Sequence, residues 1–320
     1  MTDRVGVAGT GLMGRGMATN ILSAGYPLSI VAHRSRAPID ELVRLGATEL
    51  HSYGELAAAS NVVLVCVTGT PEVESIVYQR GGLLDGAHDG LIVVDCSTSE
   101  PSSSERVAGD LRERGAAFVD APLARTPADA EAGRLNTMVG ASREDFEHVR
   151  PLLEVCCENI FHMGPVGAGH KTKLIYNFIT MGYAALIAEA LCACAATEVD
   201  LERFSDVVSA GGANSGIFQL IVPKAIEHGD CSGLEFSLAN AEKDLRYYNR
   251  MADTVPLSGM LGRAVQHALI QGLNLGYANG LVGDLLHVQE KLNGVGILDR
   301  KTSSHARADG NAATARAATN

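Results

Sequence analysis

Lys173 and Asn177 lie four residues apart in the segment HKTKLIYN (170–177), which follows the glycine-rich stretch GPVGAG (164–169). If this segment is helical, both side chains project from one face and bring an amine and an amide together. Such a pair suits proton transfer to and from a carbonyl oxygen. The same spacing is also common on solvated helix faces, so other features of the chain are needed to distinguish the two interpretations.

The composition is typical of a soluble globular protein, with 46% apolar and 20% charged residues in a chain of 320. The formal net charge of −11 disfavours binding to nucleic acid, which requires a basic surface to neutralise phosphates. Any anionic ligand must therefore be bound by local positive charge.

The N-terminal residues MTDR lead directly into an apolar run and lack the pattern of a signal peptide, which predicts a cytoplasmic protein. The cysteines show neither paired CxxC spacing nor histidines at metal-ligand spacing. We therefore expect reduced, buried thiols and no metal site among these residues: Cys66, Cys96, Cys156, Cys157, Cys192, Cys194 and Cys231.

One apolar stretch, residues 175–196, is long enough to span a bilayer and has Glu189 as its only charge. Asn177 and Thr180 add polarity along it, and alanine, glycine and cysteine are plentiful. This composition suits a helix that packs closely inside a protein, so we expect no membrane span.

The first half of the chain alternates β-branched runs with amphipathic segments, which predicts an α/β fold with a doubly wound, mostly parallel sheet of Rossmann type. The predicted strands are 5–8, 28–32, 62–67, 91–95, 117–119 and 136–139, and the predicted helices are 14–24, 39–45 and 72–77. From about 166 to 292 the pattern has a helical period and starts with a long helix. We predict a Rossmann domain over 1–165, an all-helical catalytic and dimerisation domain over 166–298 and a disordered tail over 299–320.

A glycine fingerprint, GTGLMG (9–14), follows the first predicted strand and opens the first predicted helix. Gly9 would form the tight turn, Gly11 would let the backbone approach a pyrophosphate, and Gly14 would allow close packing of helix on strand. The helix start then offers unpaired N–H groups to the phosphates. This context predicts a dinucleotide site that includes Leu12 and Met13.

The choice of dinucleotide depends on the end of the second strand. NAD-selective enzymes usually have Asp or Glu at this point to bind the ribose 2′-hydroxyl. This chain has His33, Arg34, Ser35 and Arg36 instead, which supply positive charge and a hydroxyl for the 2′-phosphate of NADP. We predict NADP as the preferred cofactor, with NAD as the alternative. The simpler explanation of these arginines is that they are exposed at the end of a strand and bind no ligand.

Motifs along residues 5–292 resemble the β-hydroxyacid dehydrogenases, the family of 3-hydroxyisobutyrate dehydrogenase and tartronate semialdehyde reductase. The matching motifs occur in the family's order: the glycine fingerprint, DCST (95–98), DAP (120–122), the GxGxxxKxxxN pattern of 167–177, and KDL (243–245). The resemblance implies that Lys173 is the catalytic lysine and Asn177 its partner. It also implies further contacts, with Thr98 near nicotinamide and substrate, Lys243 near the cofactor, and the backbone of Val67 and Thr68 against the cofactor.

The chain departs from the family at the substrate loop. Where most members have Ser-Gly-Gly after the Asp-Ala-Pro-Val segment, this chain has Leu123, Ala124, Arg125 and Thr126. The Arg-Thr pair resembles the sulfolactaldehyde reductase branch, in which the loop binds a sulfonate, although Ala124 replaces that branch's glycine. Arginine suits this role because its planar fork donates two hydrogen bonds to an anion. A surface arginine turned away from the cleft is the competing interpretation.

We expect an oxidoreductase that interconverts a small β-hydroxy acid and its aldehyde, with Lys173 exchanging the proton, Asn177 orienting the oxygen and Arg125 holding the anion. A lysine of lowered pKa, buried in the domain cleft near cations such as Lys243, would serve in both directions. The alternative functions are a sulfolactaldehyde reductase, a non-catalytic dinucleotide sensor and an imine reductase. The alternative catalytic base is a histidine, one of His33, His162 and His170. The long small-residue helix predicts a homodimer or homotetramer.

Overall fold

The computed structural model describes residues 2–32 and 35–298, and a nine-stranded sheet occupies the first half of them. The strands are β1 Val5–Ala8, β2 Leu28–Val31, β3 Thr48–Leu50, β4 Val62–Val65, β5 Ile92–Asp95, β6 Ala117–Asp120, β7 Leu123–Ala124, β8 Leu135–Gly140 and β9 Cys157–Gly164. Helices cover the sheet: α1 Leu12–Ser23, α2 Ala37–Arg44, α3 Tyr53–Ala59, α4 Thr70–Tyr78, α5 Leu83–Gly86, α6 Pro101–Arg112, α7 Pro127–Glu131 and α8 Arg143–Cys156.

The strand order is β3-β2-β1-β4-β5-β6-β8-β7, with β9 also paired to β8. Pairing is parallel from β3 through β6, and antiparallel where β8 meets β6 and β7. The order reverses between β1 and β4, and sheets of this kind bind ligands beyond the carboxyl ends of the strands at such a point. The predicted fold class is confirmed.

The central strands are buried on both faces because alternate side chains enter different cores. Val62 and Leu64 of β4 pack in the core that contains Ile21 of α1. Val63 and Val65 of the same strand pack in the opposite core, which α3, α4 and α6 cover. This double burial explains why these strands are continuous apolar runs in the sequence.

All six predicted strands and all three predicted helices of the first half are present, with ends shifted by at most two residues. The structure adds three strands that the sequence analysis did not predict: β3, β7 and β9. The first two are only three and two residues long. β9 is mostly exposed or half-exposed along its length, so it has no apolar run to reveal it.

The second half is helical, as predicted. Its helices are α9 Ala168–Ala196, α10 Leu201–Ala210, α11 Gly216–His228, α12 Leu238–Ala252, α13 Met260–Asn274 and α14 Leu285–Asn293, with a 3-10 turn at Val282–Asp284. Close helix packing is visible where α12 meets α13, because a Cβ on Gly262 would lie 2.6 Å from the Asn249 side chain. Asn249 Nδ2 also donates to Gly262 O at 3.2 Å.

Helix α9 has 29 residues, which agrees with the long helix predicted here. Within the described residues it is the one helix long and apolar enough to cross a membrane, and 44% of its most apolar window is buried. A core helix of a soluble protein passes the same test, so this finding is weak evidence for a membrane.

The chain divides by its contacts into two compact units, one ending at Tyr176 and the other starting at Asn177, so the division falls inside α9. The predicted boundary at 165/166 instead lies between the sheet and α9. The predicted domain limits remain predictions, and the predicted tail over 299–320 lies outside the described residues.

Candidate active site

The glycine turn between β1 and α1 is shaped by close backbone contacts. Gly9 has φ +102°, and a Cβ on it would lie 2.2 Å from the Cys66 carbonyl oxygen. A Cβ on Gly14 would lie 1.9 Å from the Gly9 carbonyl oxygen. Neither position tolerates a side chain, which accounts for two of the three glycines in the fingerprint.

Gly11 differs from the other two because no atom lies within 4 Å of the position its Cβ would occupy. It is the N-cap residue of α1, no side chain caps the helix there, and no acidic residue lies in the first turn. Leu12 is 73% exposed, whereas Met13 packs partly against the core. The helix start is therefore open and suited to an anion, because its first N–H groups have no partner within the helix.

Of the residues predicted to select the cofactor, Ser35 is exposed at the end of β2, and His33 and Arg34 lie outside the described residues. Arg36 pairs with Glu49 through two hydrogen bonds of 2.6 and 2.8 Å and with Asp40 at 2.7 Å. Its charge is already balanced, so the sequence argument for a 2′-phosphate depends on Arg34 and Ser35.

The loop after β5 carries Thr98 and is held by buried hydrogen bonds. Asp95 accepts from the Ser97 N–H at 2.9 Å and from the Ser99 hydroxyl at 2.8 Å. Ser97 Oγ in turn accepts from the Val67 N–H at 3.0 Å, which ties this loop to the end of β4. Thr98 is half-buried in a fixed loop, and Thr68 is exposed next to Val67.

Asp120, the first residue of the DAP motif, is fully buried at the end of β6. Its carboxylate accepts from the backbone N–H groups of Gly167 at 2.6 Å and His170 at 2.7 Å. Burial raises the pKa of Asp120, and these two N–H donors oppose that rise. Gly140 and Gly169 must lack side chains because their Cβ atoms would lie 2.3 Å from Asp120 Oδ1 and from the Met138 carbonyl oxygen respectively. The motif thus clamps the start of α9.

His170 is completely buried and joins α9 to two other elements. Its Nε2 lies 3.1 Å from the Ser97 carbonyl oxygen and its Nδ1 lies 2.7 Å from Ser104 Oγ. A carbonyl oxygen only accepts, so we assign the ring proton to Nε2 and a hydrogen bond from the Ser104 hydroxyl to Nδ1. Both ring nitrogens are engaged, which argues against the histidine-base alternative for this residue.

Lys173 lies one turn beyond His170 on α9 and is only 8% exposed. Its ammonium nitrogen lies 5.4 Å from the centre of the Tyr176 ring, within cation–π distance. Tyr176 itself is 46% exposed. A buried lysine next to an aromatic face, on a helix clamped at its start, is a positioned amine and not a solvated one. The surface interpretation of the Lys173 side chain is thereby disfavoured.

Asn177 is 4% exposed, and its Nδ2 donates to Asp244 Oδ2 at 2.5 Å. The nitrogen must face Asp244 because a carboxylate only accepts. Lys243 Nζ lies 3.0 Å from the other oxygen of the same carboxylate. Asp244 therefore orients the Asn177 amide and balances the Lys243 charge, which weakens the expectation that Lys243 acts as an uncompensated cation.

The predicted substrate loop is more engaged in local structure than its sequence suggests. Leu123 and Ala124 form β7, are buried, and pair with Thr137 and Asn136 of β8. Thr126 is the N-cap of α7, where its hydroxyl donates to Asp129 Oδ2 at 2.7 Å and accepts from the Asp129 N–H at 3.3 Å. These contacts give three of the four residues a structural role in this fold.

Arg125 has φ +86°, a left-handed conformation at a position where most family members have glycine. Its guanidinium donates to the Arg134 carbonyl oxygen at 2.6 Å and pairs with Glu158. The Arg125 side chain is 31% exposed and the Glu158 side chain 52%. An ion pair this exposed contributes about 0–1 kcal/mol, so an anionic ligand could compete for the guanidinium.

The structure brings two groups of predicted residues together: the glycine turn with Val67 and the Thr98 loop, and Asn177 with Lys243 through Asp244. Sequence reasoning named His170 only as an alternative base and Asp120 and Asp244 only as members of motifs, and it missed the positioning role of all three. All three stand inside or beside the matched motifs, and His170 precedes Lys173 by one helical turn. That adjacency was the available signal, and their partners lie too far away in sequence to be inferred.

Two family models match the chain over nearly all of its described length. The NAD-binding domain of 6-phosphogluconate dehydrogenase matches residues 4–164. The NAD-binding domain of NADP-dependent 3-hydroxyisobutyrate dehydrogenase matches residues 167–280. The first of these matches alone covers half of the chain.

Individual relatives agree with these matches. An NAD-dependent L-serine dehydrogenase of Pseudomonas aeruginosa is 35% identical over 211 residues, 65% of this chain and 70% of that enzyme. The 3-sulfolactaldehyde reductase of Escherichia coli is 28% identical over 263 residues, 82% of this chain and 88% of the reductase. The solved structure of Mycobacterium tuberculosis 3-hydroxyisobutyrate dehydrogenase with L-serine has a TM-score of 0.81 at 21% identity, covering 90% of this chain and 99% of that chain.

The fold, the open glycine turn and these matches agree with the motif resemblance found in the sequence. The chain belongs to the β-hydroxyacid dehydrogenase family of NAD(P)-dependent oxidoreductases.

Proposed function

We propose that this enzyme interconverts a small β-hydroxy acid and its aldehyde or semialdehyde, prefers NADP(H), and uses Lys173 as proton donor and acceptor. The observation that carries the proposal is the burial of Lys173 on a helix whose start is fixed by Asp120 and His170. His170 also contacts the Ser97 carbonyl, next to Thr98. The start of the helix that carries the amine and the loop proposed to face nicotinamide are thus joined by hydrogen bonds.

The residues present fit a dinucleotide. The start of α1 is uncapped and the space beside Gly11 is open, so the backbone there can bind a pyrophosphate. When bound, the nicotinamide supplies or accepts the hydride. The preference for NADP over NAD rests on Arg34 and Ser35, and the NAD-dependent L-serine dehydrogenase among the relatives favours the opposite choice.

The chain's own residues handle the proton. In the reductive direction, Lys173 as an ammonium donates a hydrogen bond and then its proton to the developing alkoxide. In the oxidative direction the neutral amine removes the hydroxyl proton. Asn177, whose amide is oriented by Asp244, would align the reacting oxygen. Thr98 would place the substrate against the cofactor.

The substrate's anionic group would be held at the β7–α7 loop by Arg125, with Thr126 next to it. For this, Arg125 must exchange Glu158 for the substrate. Because an exposed ion pair is weak, this exchange costs little free energy. Two nearly parallel N–H donors of the guanidinium then suit a carboxylate.

Steady-state turnover with NADPH and NADH across a panel of carboxylate and sulfonate aldehydes tests this proposal. We expect NADPH to be favoured, and Arg34→Ala to reduce that preference without affecting turnover with NADH. Arg125→Gly should raise KM for the best substrate, whereas Glu158→Gln, which frees the guanidinium, should lower it. An unchanged KM in both variants would remove Arg125 from the substrate site.

A second candidate function is reduction of a sulfonated aldehyde. The Arg125-Thr126 pair and the 3-sulfolactaldehyde reductase among the relatives favour it. The same panel distinguishes the two candidates, since a sulfonate enzyme would have its highest kcat/KM with sulfolactaldehyde. Absence of turnover with every aldehyde, with NADPH still bound, would indicate a dinucleotide sensor instead.

Self-association as a dimer or tetramer is also proposed. Four exposed apolar side chains form one stripe along α9: Ile175, Ile179, Tyr183 and Leu186, which are 44–65% exposed. An apolar stripe of this kind marks an interaction surface, and a second copy of α9 offers the same surface. Light scattering of the protein and of Leu186→Glu tests this, with a shift to a smaller species expected for the variant.

A further inference from the structure

Three side chains of different chemistry meet in the helical unit, although they are far apart in sequence. The ligand atoms of Cys231, Asp284 and His287, a thiol, a carboxylate oxygen and a ring nitrogen, all lie within 4.8 Å of one another. Cys231 is buried and the other two are partly buried. Neither the proposed catalytic residues nor the cofactor residues belong to this group, which we term the Cys231 cluster.

The backbone around the Cys231 cluster is held by contacts of its own. A Cβ on Gly283 would lie 2.1 Å from the Cys231 carbonyl oxygen, so only glycine lets the 3-10 turn approach the loop after α11 this closely. The Val282 N–H donates to the Phe236 carbonyl at 2.8 Å, and the Leu238 N–H donates to the Gly280 carbonyl at 2.9 Å. The loop after α11 and the segment that leads into α14 are therefore held together by backbone hydrogen bonds.

His287 is oriented by a carboxylate on its far side. Its Nδ1 lies 2.9 Å from Glu290 Oε2, and Glu290 Oε1 accepts from the N–H groups of Ile297 and Leu298 at 2.7 and 2.8 Å. Because a carboxylate only accepts, Nδ1 carries the proton and the Nε2 lone pair faces Cys231 Sγ at 3.7 Å. Metal-binding histidines almost always have this second hydrogen bond to a carboxylate or another acceptor.

The separation between the Cys231 sulfur and the His287 nitrogen suits a tetrahedral metal ion. Zn–S and Zn–N bonds of about 2.3 and 2.0–2.1 Å at a tetrahedral angle place sulfur and nitrogen about 3.5 Å apart. The observed separation of 3.7 Å is close to this value. The Asp284 carboxylate also accepts from the Leu281 N–H at 2.8 Å, which fixes its position.

A catalytic thiol is the competing interpretation, since thiol, imidazole and carboxylate follow one another in space. The Cys231 thiol is buried, and buried structural cysteines are unreactive. The geometry therefore favours a metal ligand over a nucleophile.

Contrary to the expectation from the cysteine spacing, we propose that Cys231, Asp284 and His287 bind one Zn²⁺ ion. Water would be the fourth ligand, and Glu290 would hold His287 in its ligating orientation. Zinc fits this mixed sulfur, nitrogen and oxygen set, which is too soft for magnesium or calcium. The ion would join the loop after α11 to the start of α14.

Titration of the full-length, metal-free protein with Co²⁺, a spectroscopic substitute for Zn²⁺, tests the proposal. We expect one Co²⁺ per chain, a sulfur-to-metal charge-transfer band in the near ultraviolet, visible bands of tetrahedral cobalt, and their loss when Zn²⁺ is added. Absence of the sulfur band, or binding without saturation at one ion, would overturn the proposal.

Variants locate the ion. Cys231→Ser should abolish the sulfur band. Glu290→Gln should weaken Co²⁺ binding about 10–100-fold. His287→Gln, which removes a ligand, should weaken it at least as strongly. Cys192→Ser is the matched control, since Cys192 is a buried thiol that contacts the Gln289 carbonyl of the same helix α14. A band that survives in Cys231→Ser, or vanishes equally in Cys192→Ser, would refute the assignment. Circular dichroism confirms that each variant is folded.

Discussion

Two glycine-rich turns lead into helices that begin in the first unit. One turn leaves the N–H groups at the helix start open, whereas at the other a carboxylate binds them. The turn at 9–14 leaves the start of α1 without a side-chain cap and open to a ligand. The turn at 164–169 leads into α9, where the buried carboxylate of Asp120 takes the N–H groups of Gly167 and His170. The first turn is suited to bind an anion, whereas the second fixes the helix that carries Lys173.

A third helix start, that of α7, is closed by its own residues, because Thr126 and Asp129 form a capping box. Glycine content therefore does not distinguish a binding turn from a structural one. What distinguishes them is whether a carboxylate already occupies the N–H groups. The following substitutions test this distinction.

The largest effect is expected at Lys173, on the fixed helix. Lys173→Met keeps the side-chain length but removes the proton donor, so turnover should fall about 10²–10⁴-fold, with NADPH affinity unchanged. Lys171→Met is the control, because Lys171 is exposed and pairs with Glu105 at 2.8 Å. Steady-state kinetics and NADPH fluorescence titration measure both, and near-normal turnover of Lys173→Met would contradict the mechanism.

Asp120→Asn should destabilise the fold by about 2–3 kcal/mol, because the new amide group faces an N–H donor in a buried site. Urea unfolding measures the change. Asp85→Asn is the matched control, since Asp85 also accepts a backbone N–H, that of Gly81 at 2.8 Å, but is exposed. If both variants lost the same free energy of unfolding, the burial of the Asp120 hydrogen bonds would contribute nothing to stability.

The open turn should separate binding from stability. Gly14→Ala should destabilise the protein by about 1–3 kcal/mol because its Cβ meets a backbone oxygen. Gly11→Ala has free space around it and should change the free energy of unfolding by less than about 0.5 kcal/mol. It should nevertheless weaken NADPH binding. Unimpaired binding by Gly11→Ala would show that α1 does not hold the phosphates.

The smallest effect on ligand binding and activity is expected at the closed start of α7. Thr126→Ala should cost about 1 kcal/mol through loss of the cap, and Thr126→Ser should restore it. If Thr126 only caps the helix, KM for the anionic substrate stays unchanged in Thr126→Ala. A raised KM in Thr126→Ala that Thr126→Ser reverses would instead assign the hydroxyl to the substrate.

Much of the fold could be predicted because its determinants are local. The central strands are apolar runs between turns, α9 is a long uninterrupted apolar helix, and the glycine turn joins the first strand to the first helix. The edge elements escaped prediction because β9 is largely solvent-accessible and β7 has two residues. Neither produces a hydrophobic period.

The site was predictable only in part, for the same reason. Lys173 and Asn177 share a helix, so their spacing reveals them. The groups that position the site residues come from distant segments. Asp120 accepts from His170 across 50 residues and Asn177 donates to Asp244 across 67, and in the substrate loop Arg125 pairs with Glu158 across 33. No sequence period encodes such pairings.

The complete burial of His170 provides an internal probe of the enzyme. Its Nε2 proton, held by the Ser97 carbonyl and shielded from water, should exchange slowly enough to give a distinct imidazole resonance in a nitrogen-15 NMR spectrum. The carbonyl group that this proton contacts belongs to Ser97, the residue directly before Thr98. A change in its chemical shift would therefore report cofactor or substrate arrival at the Thr98 loop without any label in the ligand.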